Sequence, residues 1–307
     1  MHIYTHASCI AHEVAPGHPE RPERLTSLIE HLQRTGITSQ YPLRQARAAS
    51  AEDLLRAHPQ NHLDFIESMA PQDNEAVPVD PDTWMGPNSH RAALHAAGAL
   101  CDAVDDVLAG HTKRVFCAVR PPGHHAEVSA AMGFCLYNSV AVGALKALEN
   151  EQVNRVAVLD FDVHHGNGSV DIFKDRPEVL VCSSFQHPHY PHRLHDLERS
   201  NIVNTPLPGG TSGDGFREAI ERDWWPAVSA HQPDLIFISA GFDAHQADPL
   251  ADLNLVEDDF AWVSREIVSM ADQFAIGRVI SALEGGYDLD ALASSVSAHL
   301  EALEQNN

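Results

Sequence analysis

Short runs of apolar residues, rich in Val and Ile, alternate along this chain with longer segments that carry apolar residues at helical spacing. The short runs do not alternate apolar with polar residues, which is typical of strands covered on both faces in a parallel sheet. Such strands are predicted at residues 2–5, 114–119, 155–161, 178–184, 234–240 and 278–284.

The segments between these runs predict helices. Residues 20–35 place Leu and Ile side chains at helical spacing, and residues 88–109 open with an N-cap candidate, Asn88 or Ser89. Further helices are predicted at residues 138–149, 214–230, 257–275 and 289–304. The alternation predicts an α/β fold with a parallel sheet and right-handed crossovers. Because no linker-like stretch divides the chain, we expect one domain over residues 1–307.

The charge balance is strongly acidic, with 43 Asp and Glu against 20 Lys and Arg, a formal net charge of −23. Binding to a phosphate backbone requires a basic surface, so a nucleic-acid partner is not expected. The acidity indicates either a solvated surface, as in proteins adapted to high salt, or attraction of a cationic substrate. We favour the first interpretation because the acidic residues are dispersed.

The positions of the cysteines and the hydropathy of the chain indicate the cellular compartment of the protein. The five cysteines are scattered and form no C-x-x-C pair, which favours buried, reduced thiols. No segment has 18 consecutive apolar residues, and the N-terminus lacks the basic-then-apolar order of a signal peptide. We therefore expect a cytoplasmic protein without a membrane-spanning segment.

Four of the predicted strands end in polar residues of the kinds that enzymes use. The motifs are RPPGHHAE at 120–127, DFDVHHGNG at 160–168, GFDAH at 241–245 and EGGYD at 284–288. Ligands of open α/β sheets bind beyond the carboxyl ends of the strands. We therefore expect the four motifs to converge on one crevice.

The second motif has the spacing of a metal site. Residues i and i+2 of an extended chain point to the same side, so Asp160, Asp162 and His164 share a side and His165 faces away. An Asp and a His at this spacing can bind one metal ion, and Asp243 is the best candidate for a third ligand beside an open position. The alternative, an Asp that caps the following turn, would be favoured for a single Asp, but the combination favours a metal.

The first and last motifs predict groups for proton transfer. Two prolines and a glycine make a rigid connection, from which His124 and His125 both reach the crevice. Opposite a metal, such a pair indicates acid–base catalysis, whereas a lone His would more often be structural. Tyr287 either packs on the surface of a turn or donates a hydrogen bond to a developing oxyanion.

Taken together, RPPGHHA, GFCLYN, DFDVHHGNG, SAGFDAH and LEGGYD resemble the zinc-dependent histone deacetylase superfamily, as does GHPERPERL at residues 17–25. That superfamily includes bacterial acetylpolyamine amidohydrolases and acetoin-utilisation-type proteins. The likeness extends from about residue 17 to about residue 290. It implies an arginase-like, three-layer fold, in which a mostly parallel sheet of about eight strands lies between helix layers.

The resemblance implies a catalytic zinc site. Asp162, His164 and Asp243 match the three ligands of one zinc ion per chain, and Tyr287 matches a tyrosine that polarises the substrate carbonyl. Two Asp ligands and one His make the metal a weaker Lewis acid than three His would. The oxyanion therefore needs the phenol as a second partner.

The resemblance also implies different partners for the two histidines. Asp160 would bind His124 and favour its protonated form, while the neutral Asn167 leaves His125 easier to keep unprotonated. Our hypothesis is that His125 is the general base and later the acid, and that His124 is an electrostatic partner. Asn167 is similar to the class II side of the family, with which most bacterial members group, because another branch has Asp there.

Further residues match substrate and cation sites of the family. The substrate would contact the Gly133 carbonyl, the aromatic walls Phe134 and Tyr190, and the rim residue Leu250. A structural potassium ion would be bound by Asp160, Asp162, His164, Ser183 and Ser184. A second monovalent ion would be bound by Phe173, Arg176 and Val179.

The substrate implied is a small acetylated amine, such as an acetylpolyamine, or acetyl-lysine. The acidic composition favours a cationic polyamine slightly. Against it, Leu250 stands where a dedicated polyamine deacetylase of the family carries a glutamate. Asp80 or Asp82 would supply a rim carboxylate instead, although we favour their interpretation as exposed turn residues.

Two other functions compete with a deacetylase. A ureohydrolase of the arginase type would have two metal ions and more bridging carboxylates, and it would leave Tyr287 and the His pair without a role. A binding module would keep the fold without catalysis, but every catalytic position is filled here. Because bacterial relatives form dimers or tetramers, we expect a homodimer or homotetramer.

Overall fold

The computed structural model describes residues 1–71, 73 and 75–304; the remainder of the predicted domain of residues 1–307 lies outside the described part. The strands are β1 His2–Thr5, β2 Leu43–Gln45, β3 Val77–Pro78, β4 Trp84–Met85, β5 Arg114–Cys117, β6 Val156–Asp160, β7 Val179–Gln186, β8 Ile202–Leu207, β9 Leu235–Ala240 and β10 Val279–Leu283. The helices are α1 Ala7–Ile10, α2 Glu23–Arg34, α3 Ile37–Gln40, α4 Ala51–Leu55, α5 Gln60–Ser68, α6 Ser89–Leu108, α7 Ser139–Leu148, α8 Asn167–Phe173, α9 Gly213–His231, α10 Glu257–Phe274 and α11 Leu289–Glu304.

Eight strands form a central sheet in the order β2-β1-β5-β10-β9-β6-β7-β8, and β3 and β4 form a separate antiparallel pair. Every neighbouring pair within the central sheet is parallel. Helices α2, α9, α10 and α11 pack in succession on one another, as do α6, α7 and α8, and both groups contact the sheet. The predicted α/β fold, with a sheet of eight strands between helix layers, is confirmed.

The central strands are more predictable than the edge strands. Strands β5, β6, β7, β9 and β10 are buried at every residue, which confirms their prediction from continuous apolar runs. The edge strands β2 and β8 were not predicted, because β2 exposes two of its three residues and β8 is only partly buried and contains Pro206. An edge strand borders solvent, so its sequence carries no continuous apolar run.

Asn88 is the N-cap residue of α6, one of the two predicted candidates, but its side chain makes no cap hydrogen bond. The Ser89 hydroxyl accepts a hydrogen bond from the Gly86 amide at 2.8 Å. Ser89 therefore fixes the preceding loop. At α7, by contrast, Asn138 Oδ1 accepts from the Ala141 amide at 2.9 Å and caps the helix.

All five cysteines are buried and unpaired, as their scattered positions predicted. Among the described residues, no helix has both the length and the hydropathy that a bilayer crossing would require.

Candidate active site

The four motif-bearing strands, β5, β10, β9 and β6, are consecutive neighbours in the sheet. Because these strands are parallel, their carboxyl ends lie at the same edge. The loops that follow them therefore meet in one place, as the sequence predicted.

Asp162, His164 and Asp243 form a buried cluster with one ligand atom from each residue, all within 4.8 Å of one another. His164 Nδ1 lies 3.0 Å from Asp162 Oδ1 and 3.2 Å from Asp243 Oδ2. Burial lowers the pKa of His164, but the two carboxylates outweigh it and raise that pKa to about 10. Two buried carboxylates at one point require a positive charge. The donor set, two oxygens and one nitrogen, fits a divalent cation such as zinc.

Backbone amides hold the two carboxylates in place. The Gly285 amide donates to Asp162 Oδ2 at 2.9 Å, and the Val163 amide donates to Asp243 Oδ1 at 3.0 Å. A Cβ atom at Gly241 would overlap the Asp162 carboxylate, and one at Gly285 would overlap that of Asp243. The glycines of GFDAH and EGGYD therefore let the backbone approach the metal-binding carboxylates.

His124 and His125 lie side by side, with ring centroids 3.9 Å apart, but they have different partners. His124 Nδ1 lies 2.9 Å from Asp160 Oδ2, and His125 Nδ1 lies 2.7 Å from Asn167 Oδ1. Burial lowers the pKa of His124, but Asp162 and Asp160 outweigh it and hold that pKa well above the usual value. Burial, reinforced by the charge of His124, holds the pKa of His125 well below the usual value. The pKa values of the two imidazoles are thus shifted in opposite directions.

Tyr287 is buried in a sharp turn that two charged residues hold. The Arg24 guanidinium lies 4.7 Å from the centroid of the Tyr287 ring, and its Nε donates to the Gly286 carbonyl at 2.6 Å. The Tyr287 amide donates to Asp248 Oδ2 at 2.6 Å. Burial raises the pKa of the phenol well above its usual value, against the opposing charge of Arg24. The Tyr287 phenol is therefore held in a buried place, and it does not lie on the surface of a turn.

The predicted substrate residues line one narrow cavity of about 90 Å³. Its lining consists of Gly133, Phe134, Tyr190 and Leu250 together with His125, His164, Tyr287 and Asp82. The Phe134 and Tyr287 rings meet edge to face at a centroid distance of 5.9 Å. The cavity thus joins the metal cluster to a wall of aromatic side chains, which suits a slender substrate chain.

The interpretation of Asp80 and Asp82 as exposed turn residues is wrong, because both are half-buried. Asp82 faces the cavity, where its Oδ1 accepts from the Gly133 amide at 2.9 Å and from the Thr83 hydroxyl at 2.8 Å. Asp80 does not line this cavity. One carboxylate therefore borders the predicted substrate path.

The residues predicted to bind the first potassium ion lie together at the carboxyl end of β6, beside Ser183 and Ser184 of β7. Asp160 is paired with Ser183 in the sheet, and Ser184 Oγ lies 3.5 Å from the Asp160 carbonyl oxygen. Asp162 and His164 follow on the same loop. Potassium at this place remains a prediction.

The second predicted monovalent site does not fit the structure. The carbonyl oxygens of Phe173, Arg176 and Val179 accept hydrogen bonds from Asn201 Nδ2 at 2.8, 3.0 and 2.9 Å. Asn201 is buried, so its amide nitrogen takes the place to which the three carbonyls point. These oxygens are satisfied without a cation.

Comparison with known proteins decides the family. The histone deacetylase domain matches residues 18–303. The chain belongs to the histone deacetylase family. It is accordingly an enzyme, a hydrolase of the deacetylase type.

Members of the family resemble the chain over nearly its whole length. The uncharacterized protein slr0245 of Synechocystis sp. is 38% identical and covers 98% of each chain. The histone deacetylase-like amidohydrolase of Pseudomonas aeruginosa is 38% identical over 89% of this chain and 73% of its own. The probable deacetylase of Archaeoglobus fulgidus is 35% identical, over 94% of this chain and 81% of its own. The crystal structure of the HDA15 HD domain superposes with a TM-score of 0.91 and 32% identity, covering 100% of this chain and 91% of that one.

The histone deacetylase motifs did not reveal every residue that holds this site together. Arg24 and Asp248, which support the Tyr287 turn, lie in the segments PERPERL and ADPL. Arg24 is one of four charged residues in the first segment, so its charge alone does not single it out. Glu127 contacts Asn167, and Arg193 contacts Glu127. Arg193 follows β7 in a segment without a recognised motif, so no signal in the sequence marks it.

Proposed function

We propose that this histone deacetylase family member is a zinc-dependent amidohydrolase that removes acetyl groups from N-acetylated primary amines. One observation carries the proposal: a candidate metal ligand, His164, shares a narrow cavity with His125 and Tyr287. A metal, a base and an oxyanion donor are the three parts that hydrolysis of an unactivated amide requires.

Zinc bound by Asp162, His164 and Asp243 supplies Lewis acidity, which polarises the amide carbonyl and lowers the pKa of a water molecule. His125 takes the proton of the attacking water at Nε2, because its Nδ1 is bonded to Asn167. The same nitrogen then delivers the proton to the leaving amine.

Two further side chains stabilise charge in the transition state. His124 stays protonated beside Asp160 and places a positive charge near the reacting carbonyl. Tyr287 donates its phenolic hydrogen to the developing oxyanion. Because Arg24 and Asp248 hold the Tyr287 turn, little reorganisation is needed at the moment of reaction.

For the substrate we propose a small acetylated amine, an acetylpolyamine, in preference to acetyl-lysine in a protein. Phe134 and Tyr190 would flank the acyl-aminoalkyl chain, the Gly133 carbonyl would accept from its amide, and Leu250 would lie at the rim. The Asp82 carboxylate beside the cavity and the net charge of −23 support a cationic substrate. Leu250 offers no charge at the rim, which leaves Asp82 as the nearest candidate.

A substrate panel with a Tyr287 variant tests the proposal. The zinc-loaded protein should hydrolyse acetylputrescine and acetylspermidine with a higher kcat/KM than an acetyl-lysine peptide. Tyr287→Phe should lower kcat by about 10²–10³-fold while one zinc per chain is retained. Tyr41→Phe, which removes a hydroxyl bonded to Glu304 far from the cavity, is the matched control.

The outcomes separate the alternatives. Unchanged turnover in Tyr287→Phe would contradict the mechanism, and equal kcat/KM for peptide and polyamine would contradict the proposed selectivity. Two manganese ions per chain would favour an arginase-type ureohydrolase, although the described residues contain a single cluster of the required kind. Hydroxamate binding without hydrolysis would favour a binding module.

We further propose that the chain works as one domain, in the cytoplasm, as a homodimer or homotetramer, with potassium near Asp160. A continuous hydrophobic core supports the single domain. The five buried, unpaired thiols support a reducing compartment.

A further inference from the structure

A chain of hydrogen bonds extends from the surface residue Arg193 to the imidazole of His125. Arg193 Nε and Nη2 donate to the two carboxylate oxygens of Glu127, each at 2.8 Å. Asn167 Nδ2 donates to Glu127 Oε1 at 2.8 Å, and Asn167 Oδ1 lies 2.7 Å from His125 Nδ1. Glu127 and Asn167 are both buried, so water does not replace these contacts.

The direction of this chain follows from the chemistry of its members. An ionised carboxylate accepts hydrogen bonds and donates none, so Glu127 must face the amide nitrogen of Asn167. The amide can then present only its oxygen to His125, and that oxygen can only accept. His125 must therefore carry its hydrogen on Nδ1, which leaves the lone pair of Nε2 free on the side of the cavity.

Among the described residues, Asn167 has no other side-chain contact of comparable strength that would select this orientation. Its Nδ2 also lies 3.3 Å from Met132 Sδ and 3.5 Å from the His125 carbonyl oxygen, both weaker acceptors at those distances. An asparagine has two orientations of nearly equal shape, so its partners decide between them. Here the charged partner is Glu127.

We propose that Glu127 is a positioning residue that sets the tautomer of His125 through Asn167, and that Arg193 holds the Glu127 carboxylate in place. The inference rests on the proposed function, in which His125 is the general base. A base needs its lone pair, not its N–H, directed at the attacking water. Neither Glu127 nor Arg193 lines the cavity, so both act without touching substrate.

Arg193 also connects this hydrogen-bond chain to the wall of the substrate cavity. It lies three residues after Tyr190 on the segment that follows β7, and Tyr190 meets the His125 ring edge to face at 5.3 Å. The same segment therefore supplies an aromatic wall of the cavity and the cation at the start of the hydrogen-bond chain. The Arg193 side chain is 56% exposed, so its ion pair contributes less than the buried Glu127–Asn167 contact.

Exchange of the carboxylate and the amide gives a sharp test. In Glu127→Gln the introduced side-chain amide can either accept a hydrogen bond from Asn167 or donate one to it. The side-chain amide of Asn167 can therefore rotate by half a turn and present its N–H to His125. We expect kcat to fall by about 10- to 100-fold with KM nearly unchanged, since a wrong tautomer removes the base. Glu149→Gln is the matched control, because Glu149 forms a similar two-bond pair with Arg56 away from the site, and it should keep the wild-type kcat.

The double variant Glu127→Gln/Asn167→Asp should recover most of the lost kcat at the plateau of its pH profile. The introduced amide can accept from Arg193 through its oxygen and donate to the introduced carboxylate, which in turn accepts from His125 Nδ1. Asn167→Asp alone places two carboxylates together and should be impaired. Wild-type kcat in Glu127→Gln, or a double variant no better than the single ones, would overturn the proposal.

Ring ¹⁵N NMR of histidine-labelled protein reads the tautomer without any substrate, with the His125 signal identified by its loss in His125→Asn. We expect the Nδ1–H form in the wild type and a mixture of tautomers in Glu127→Gln. An Nε2–H form in the wild type would overturn the inference. If the wild type shows Nδ1–H but hydrolyses no acyl amide, the proposed function fails while the positioning by Glu127 stands.

Discussion

Two adjacent histidines in this site have pKa values shifted in opposite directions, because Asp162 and Asp160 outweigh burial at His124, whereas burial and the charge of His124 prevail at His125. His124 faces the carboxylate of Asp160, and His125 faces the amide oxygen of Asn167. A carboxylate stabilises the charged imidazolium, whereas a neutral amide oxygen can accept a hydrogen bond from an uncharged imidazole as well as from a charged one. In the proposed mechanism, the two side chains on this loop therefore have different roles, His124 in electrostatic stabilisation and His125 in proton transfer.

The division of labour predicts unequal effects of substitution. His125→Ala should lower kcat by about a hundredfold or more, because a general base contributes that much to turnover. His124→Ala should lower it by only about tenfold. Zinc content and the melting temperature of both variants serve as controls for folding. Near-normal turnover in His125→Ala, with activity abolished in His124→Ala, would reverse the two roles.

The residues that were predictable from the sequence differ from the others in a physical way. Asp162, His164 and Asp243 follow apolar strands directly, where a polar side chain is conspicuous. Arg24 reaches the Gly286 carbonyl across 262 positions of the chain, and Arg193 reaches Glu127 across 66. Contacts over such distances depend on topology, which a local pattern of residues does not contain.

At the scale of elements, the predictable strands are those buried on both faces. Each short helix of the first 70 residues lacks the length on which helical periodicity is recognised, so α1, α3, α4 and α5 were not predicted. Helix α8 was missed for another reason: its first residues, Asn167 and Gly168, are typical of a turn. That helix begins with the residue that contacts His125, so its start is part of the site.

Asn201 links three elements and supports a prediction about cations. It lies before β8, and its amide nitrogen binds the carbonyls of Phe173 at the end of α8, Arg176 after it and Val179 at the start of β7. The Phe173 and Arg176 carbonyls also accept from the Arg176 and Val179 amides. Asn201→Ala should therefore remove one of the partners of these two carbonyls and the side-chain partner of the Val179 carbonyl, so the variant should lose stability and regain part of it from a monovalent cation. Melting temperatures in KCl and in tetramethylammonium chloride of equal ionic strength measure the difference.

The wild type is the control for this cation effect, because any potassium near Asp160 is common to both proteins. The Asn201→Ala variant should bind one more thallium ion per chain than the wild type, as counted by anomalous scattering. An equal count, together with an equal response to potassium, would contradict the idea that the amide stands in place of a cation.

At the scale of the whole molecule, the strand order makes the site. Motifs from four separate parts of the chain meet because β5, β10, β9 and β6 are neighbours, although they are far apart along the sequence. The sequence predicted that the ends of the parallel strands converge, but it did not predict the order of the strands in the sheet. The same close packing buries several histidines outside the site, and these set the response of the fold to acid.

His299 is a buried histidine that must be neutral in the folded protein. Ser264 Oγ donates to the Phe260 carbonyl and so accepts from His299 Nδ1, which leaves Nε2 to accept from Ser281 at 2.9 Å. Burial lowers the pKa of His299 to about 3. The unfolded chain, with a histidine pKa of about 6.5, binds the extra proton first as the pH falls. The free energy of unfolding should therefore decrease by about 1.4 kcal/mol per pH unit between about pH 6 and pH 4 from this residue alone.

Urea unfolding of the wild type and of His299→Gln at several pH values isolates this contribution. The variant should be less stable at pH 7 but should lose stability less steeply on acidification, by about one proton. His58, whose pKa burial and the neighbouring His62 lower to about 3, offers a second variant, His58→Gln, if the first does not fold. If the free energy of unfolding falls equally steeply with pH in the wild type and in both buried-histidine variants, the prediction is wrong. Neither histidine would then take up the extra proton on unfolding, and acid would act on other groups.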